Sequence, residues 1–375
     1  MAENLYLKHI ESIPHMVEQI FPALNQEALR LTAEVADWPL TAVYLYGSGD
    51  SLAAATGATG AFMELCHLPC FALTSMQASR YAPGYCMPEP KTVLTIGLSN
   101  SGRVARGLEA TTALANAGYC PILITSNPDS PGGKAAGKVF HAFVPPFDPV
   151  PIPGVRGYVT AQLSLYLFAV HLAFARNQLT EAARDELLDT LKNTGQLLRT
   201  SLDDNRQKLQ AFGELCAREK RVEFLSAGPC RASADFGMAK TLEATGYTAL
   251  SPELEEFSHM NFFSLEPEHI PTVIVCPESS RCLVRSRELE ESMRFQGRPC
   301  LIMTDGASFL ADEAHTIRVP VPQREMFAPL VFSFLTALLT AYMPLEEGDD
   351  YMHGHRGPFH EEDFPTIITS KLVFD

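Results

Sequence analysis

Short apolar runs alternate with amphipathic stretches along most of this chain. Apolar residues recur at Ile10, Ile13, Val17 and Ile20, and again at Leu29, Leu31 and Val35, which predicts two helices over residues 4 to 38, closed by Pro39. Ala42 to Tyr46 (AVYLY) then reads as a strand, followed by GSGDS and a helix of small residues from Leu52. TVLTIGL is a second strand. It ends at SNSG and leads into a helix running to Gly118, and PILITS follows as a third strand. Strands and helices in alternation predict an α/β fold with a parallel sheet and helices on both faces. The most apolar stretch, Leu163 to Phe174, is too short to span a bilayer and reads as a buried helix.

The pattern then repeats. EFLS leads to AGP and a helix, TVIVC leads to PESS and a helix ending at Gly297, and RPCLIMTD follows as a strand. Gly49 and Gly228 lie 179 residues apart, and Thr92 and Thr272 lie 180 apart. In each half the first glycine precedes the serines at Ser99 or Ser279 by roughly 50 residues. One offset shared by several elements predicts two copies of one domain. The expected division is N-terminal helices in 1–40, a first domain in 41–195, a second in 196–345, and an acidic, histidine-containing tail in 346–375.

Composition narrows the function. With 375 residues, 46% of them hydrophobic and 19% charged, the chain has ample material for two cores. A net charge of -15 without a basic stripe argues against nucleic acid as a partner. A small anion would have to be held by local dipoles instead. Nine cysteines without a CxxC pair fit reduced thiols and a cytoplasmic location. Cys66 and Cys70 stand at i,i+4 but lack further metal ligands. The N-terminus has no cationic segment followed by an apolar one, so no signal peptide and no membrane association are expected.

Two strings carry the candidate chemistry. Ligands in a parallel sheet bind beyond the carboxyl ends of the strands, where GSGDS (Gly47 to Ser51) and LSNSG (Leu98 to Gly102) both sit. Each precedes a helix, whose first N–H groups favour an anion, and the serines add hydroxyl donors. Ser99 and Ser101 could merely cap a helix, but two such loops on neighbouring strands favour a phosphate site. Neither loop has a P-loop lysine, GSGDSL lacks the third glycine of GxGxxG, and GLSNSG is not GxSxG.

The second string runs from Lys240 to His259. Ala232 to Tyr247 reads as a helix with Phe236, Lys240, Glu243 and Tyr247 on one face. A Lys and a Glu three apart often form a solvated pair. This pair, however, lies on the helix that starts at the ligand edge of the second sheet. The chain then turns at Ser251-Pro252 and presents Glu255, Glu256 and His259. His259, beside Met260, Phe262 and Phe263, is either a core histidine or part of this site.

GSGDS, LSNSG, SAGP, K-x-x-E and EEFSH resemble the double sugar-isomerase (SIS) family from about residue 40 onward. That family includes the isomerase half of glucosamine-6-phosphate synthase and the fructoselysine- and glucoselysine-type 6-phosphate deglycases. The resemblance implies two tandem flavodoxin-like domains. It implies that Glu243 moves a proton between sugar C1 and C2, that His259 handles ring opening, and that Lys240 and Lys371 are catalytic. It implies that Ser48, Ser51, Ser99, Asn100 and Ser101 hold the phosphate, that no cofactor or metal is needed, and that the tail closes over the site. It further implies a homo-oligomer, dimer or tetramer, with shared active sites.

Some positions depart from the family pattern. Val104 stands where a hydroxyl is expected, Phe236 where the synthase has a carboxylate, and Met260 where glycine follows the histidine. Without a glutaminase stretch before the repeat, an amidotransferase is not expected. Arg156-Gly157-Tyr158 looks like the corresponding element of deglycase-like members, which makes Arg156 either a substrate contact or a surface residue.

Proton transfer between adjacent sugar carbons needs one base able to take the proton and return it, and a carboxylate suits this. If C1 or C2 carries an amine, the resulting imine is hydrolysed and the enzyme is a deaminase or deglycase. If it carries a hydroxyl, the enzyme is an aldose–ketose isomerase. The alternative is a non-catalytic regulator that binds a sugar phosphate. His353, His355 and His360 near three carboxylates are a further metal-site candidate, against a plain covering loop.

Overall fold

The computed structural model describes residues 4–84, 87–147, 152–345, 351 and 367–374. They form two compact units. One holds Met16–Pro146 and Arg156–Asn193 with tail residues 367–374. The other holds residues 4–15, Phe147, 152–155 and the chain from Thr194 to 345, with Tyr351.

The chain opens with helices α1 (Leu5–Glu11) and α2 (Ile13–Val35). They meet at Ser12, whose hydroxyl donates to the His9 carbonyl at 2.7 Å, and Pro22 lies inside α2. The first unit continues β1 (Ala42–Gly47), α3 (Asp50–Cys66), β2 (Cys70–Thr74), α4 (Ser75–Arg80), β3 (Val93–Leu98), α5 (Ala105–Asn116), β4 (Ile122–Thr125), α6 (Pro131–Ala135) and β5 (Lys138–His141). Helices α7 (Arg156–Ala175) and α8 (Glu181–Lys192) complete it. All five strands are parallel, in the order β2-β1-β3-β4-β5.

Helix α7 is long and apolar enough to cross a membrane, yet it is the core helix of this unit, packed on α3. The Tyr166 hydroxyl donates to the Gly57 carbonyl at 3.2 Å, and the Cys66 thiol to the Ala169 carbonyl at 3.4 Å. Burial pushes that thiol up to about 12, which leaves it unreactive.

His171 on the same helix is 3% exposed, with Nε2 2.7 Å from Asn25 Oδ1. Burial first, and the Arg184 charge second, lower its pKa from 6.5 to about 4. Because the folded value is depressed, the unfolded chain takes up a proton at a pH where the folded one does not. Stability is therefore expected to hold above pH 6.5 and to fall by on the order of 2–3 kcal/mol as the pH drops toward 4. Denaturant midpoints measured across that range should lose this slope in His171→Gln, which keeps a donor for Asn25. An unchanged slope would exclude His171 as its source.

The second unit runs α9 (Thr194–Glu219), β6 (Arg221–Leu225), α10 (Arg231–Thr245), β7 (Thr248–Leu250), α11 (Leu254–His259), β8 (Thr272–Val275), α12 (Leu283–Gln296), β9 (Cys300–Thr304), β10 (Thr316–Arg318) and α13 (Pro329–Ala341). Its parallel sheet has the order β7-β6-β8-β9-β10, the topology of the first sheet again. Gly49 and Gly228 follow the equivalent first strands, and both have positive φ, 56° and 58°.

The register revises the other predicted equivalences. Ser99 N–H donates to the Ile124 carbonyl, and in the second unit Cys276 N–H donates to Met303. Cys276 thus occupies the place of Ser99, and Glu278 that of Ser101. Ser279 is not the counterpart of Ser99, because the strand-to-loop segment of the second half is two residues shorter than the glycine offset implies.

Candidate functional site

In the first unit the strand order reverses between β1 and β3, and the loops after those two strands are GSGDS and LSNSG. Such a switch point opens a crevice at the carboxyl ends of the strands. Gly47 is required there, because a Cβ would stand 2.7 Å from Ser51. Helix α3 begins at Gly49 without a side-chain cap, so its amide dipoles face the crevice. Ser48 is exposed and Ser51 partly so.

The second loop is tied down from β4. The Asn100 carbonyl accepts from Thr125 Oγ1 (3.0 Å), Ser126 Oγ (2.8 Å) and Ser126 N–H (3.0 Å). The Asn100 side chain lies against Gly157, where a Cβ would meet it at 3.0 Å. Gly102 has φ 62°, and a Cβ there would collide with Ser130 Oγ. Ser101 Oγ accepts from Arg103 N–H at 3.3 Å, so this hydroxyl does serve the local turn. Ser99 does not: it is 7% exposed, and its Oγ has no hydrogen-bond partner among the described residues. A buried, unpaired hydroxyl at a sheet switch point is costly unless a ligand completes it. Arg156, at the start of α7, is 6% exposed and so is not a surface residue. Its Nε points to Met16 Sδ at 3.1 Å, and burial lowers its pKa.

The equivalent loop of the second unit is closed by its own side chain. The Glu278 carboxylate accepts from Ser308 N–H at 2.8 Å and from the Ser308 hydroxyl at 2.5 Å, while Glu278 N–H donates to Asp305 Oδ1 at 2.7 Å.

Helix α10 starts from the SAGP loop of the second unit and packs on α13 through small residues. Ser233 Oγ lies 3.0 Å from Ser333 Oγ, and Thr241 Oγ1 lies 3.3 Å from Thr340 Oγ1. Lys240, on the same helix, is fully buried. Its ammonium pairs with Glu243, whose side chain is 34% exposed, and lies 5.3 Å from the centre of the Phe236 ring. This is not a solvated surface pair. A buried cation is tolerated because Glu243 and the ring face it. Tyr247 is not on this helix as predicted: Gly246 ends α10 in a left-handed cap, and the Tyr247 hydroxyl donates to the Pro344 carbonyl at 2.9 Å.

His259 is 65% exposed, which excludes the core-histidine reading. It closes α11, with Nε2 3.2 Å from Glu255 Oε1. Glu255 also accepts from Arg285 at 2.5 Å, and this bond, with the weaker one to His259, holds its carboxyl below the usual range. Lys240 and Glu243 are therefore brought together, whereas the hydrogen-bond partner of His259 is Glu255. Lys371 belongs to the first unit, where its main-chain carbonyl accepts from Arg106. His353, His355 and His360 lie outside the described residues.

No family model matches this sequence, and no curated protein does. Solved structures do match. The C-terminal domain of glucosamine-fructose-6-phosphate aminotransferase from Francisella tularensis superposes with a TM-score of 0.80 at 19% identity, covering 91% of this chain and 96% of that one. A protein of Silicibacter pomeroyi provisionally described as a phosphosugar isomerase gives 0.71 at 16% identity, over 91% and 97%. Glucosamine-6-phosphate deaminase from Thermotoga maritima gives 0.64 at 14% identity, over 90% and 92%. At these identities the likeness establishes the fold alone: two α/β units, each built on a parallel five-stranded sheet.

Proposed function

We propose that this chain is a phosphosugar-processing enzyme. It acts on an amino-sugar or Amadori-type hexose 6-phosphate by proton transfer through an enediol or enolamine. The observation that carries the reading is the buried Ser99 hydroxyl, without a partner among the described residues, at the point where the strand order reverses. Ser48, Ser51, Ser99, Asn100 and Ser101 hold the phosphate. Glu243 removes the proton from one sugar carbon and returns it to its neighbour, while His259 protonates the ring oxygen as the ring opens. Lys240 and Lys371 stabilise the negative charge on the enediolate oxygen. When the carbon carries an amine, water adds to the resulting imine and the amine leaves. The names of the solved neighbours, a phosphosugar aminotransferase domain and a glucosamine-6-phosphate deaminase, support this class. We further propose a cytoplasmic homo-oligomer with shared active sites.

The test is a panel of 6-phosphates of fructoselysine, glucoselysine, glucosamine and fructose, with free amine and hexose 6-phosphate measured. Release of amine would identify a deglycase or deaminase, and interconversion alone an isomerase. Binding without turnover of any compound would favour the regulatory alternative instead.

Ser99→Ala is a sharper check on the loop. The hydroxyl has no partner to lose, so the thermal midpoint should stay within about 2 °C of wild type. Affinity for the sugar phosphate should fall about tenfold, the value of one hydrogen bond to a charged acceptor. Unchanged affinity by calorimetry would remove Ser99 from the site.

A further inference from the structure

The described part of the C-terminal tail is held on the first unit by charged and backbone hydrogen bonds, with none of its apolar residues fully buried. Ile367, Ile368 and Phe374 are 73%, 52% and 51% exposed. The attachment is made instead along α5. Ala105 N–H donates to the Ile367 carbonyl at 2.9 Å. The Arg106 guanidinium donates to the Lys371 carbonyl and lies 3.4 Å from Ser370 Oγ. Val373 N–H donates to Glu109 Oε1 at 2.5 Å. Glu109 is 1% exposed, and its carboxylate is also paired with Arg80 at 2.7 Å and with Arg106.

Each of these contacts has a physical reason. Val104 cannot cap α5, so the first N–H of that helix would be unsatisfied without the tail carbonyl. A buried carboxylate needs several donors, and one of the three groups holding Glu109 is the tail's own N–H. The bonded positions bracket Lys371, whose side chain is left exposed beside the first turn of α5. That helix opens directly from the Ser99–Gly102 loop.

We propose that Glu109 and Arg106 form a clasp that fixes the tail in register, so that they act as positioning residues for Lys371. The role of Lys371 rests on the function proposed above; the clasp itself does not.

Hydrogen exchange of the 367–374 amides in the full chain without substrate tests the clasp. Arg106→Met and Glu109→Gln should each lower protection at the Val373 amide about tenfold, with β1 and β3 unchanged. Arg106→Lys should restore part of it. With the substrate found by the panel, both variants should lower kcat toward that of Lys371→Ala while KM changes less than about twofold. Unaltered protection in both variants would overturn the clasp. Lost protection with kcat intact would overturn the positioning role. Lost protection in a protein that turns over none of the panel would uphold the clasp and count against the proposed function.

Discussion

Glu243→Gln is expected to lower turnover about a thousandfold or more, while sugar-phosphate affinity stays within about threefold of wild type. The amide occupies the carboxylate's volume and still accepts a hydrogen bond from Lys240, but it cannot take up a proton. The GSGDS and LSNSG loops carry none of the changed atoms, because they belong to the other unit. The substitution also has a cost in stability. Lys240 is fully buried, and losing its counterion should cost about 1–3 kcal/mol even with the Phe236 ring in place. A melting curve beside the kinetics separates the two effects: a folded variant without turnover supports the base. Turnover within about tenfold of wild type would exclude Glu243 from the proton transfer.

The largest effect on stability is expected at Arg298→Met. Arg298 and Glu223 form an ion pair of 2.7 Å with side chains 0% and 1% exposed. Arg298 Nε also donates to Thr272 Oγ1 at 2.7 Å, and its guanidinium lies 4.9 Å from the Phe257 ring. The pair thereby links β6, β8, α11 and the segment before β9. Burial lowers the Arg298 pKa, yet a guanidinium stays protonated, so the charge must be paired. Removing it leaves the buried Glu223 carboxylate with only the distant Arg221 guanidinium at 3.9 Å and should cost about 3–5 kcal/mol, read from denaturant unfolding. The double replacement Arg298→Met with Glu223→Leu should recover much of that loss, since two apolar groups leave no unpaired charge. A single variant as stable as wild type would mean that water reaches Glu223.

The strands that the sequence revealed are the ones buried on both faces. β1, β3, β4, β6, β8 and β9 read as continuous apolar runs because helices cover them on either side. The four edge strands were not legible. CFALT, KVFH, TAL and TIR are short, and with one neighbour each they need little apolar patterning. The duplicated topology was readable from glycine spacing, since a positive φ leaves few alternatives to glycine. Its register was not, because serines tolerate many positions and Ser279 resembled Ser99 in composition only. At the site, the pairing of Lys240 with Glu243 follows from helical spacing, but the full burial of Lys240 does not follow from its sequence neighbourhood. Glu109 escaped notice as one acid on an ordinary helix. Its signal was faint: a carboxylate between Leu108 and Ala110, three residues after Arg106.

Glu278 gives the duplication an asymmetric thermodynamics. In the second unit an anion is already covalently part of the chain and bonded to Ser308, so that loop is in effect permanently saturated. In the first unit the equivalent loop leaves Ser99 unpaired. Two halves of common architecture thus respond differently to the same solute. Under the proposed function, added phosphate ester should stabilise the first half by mass action and leave the other where the chain itself has set it.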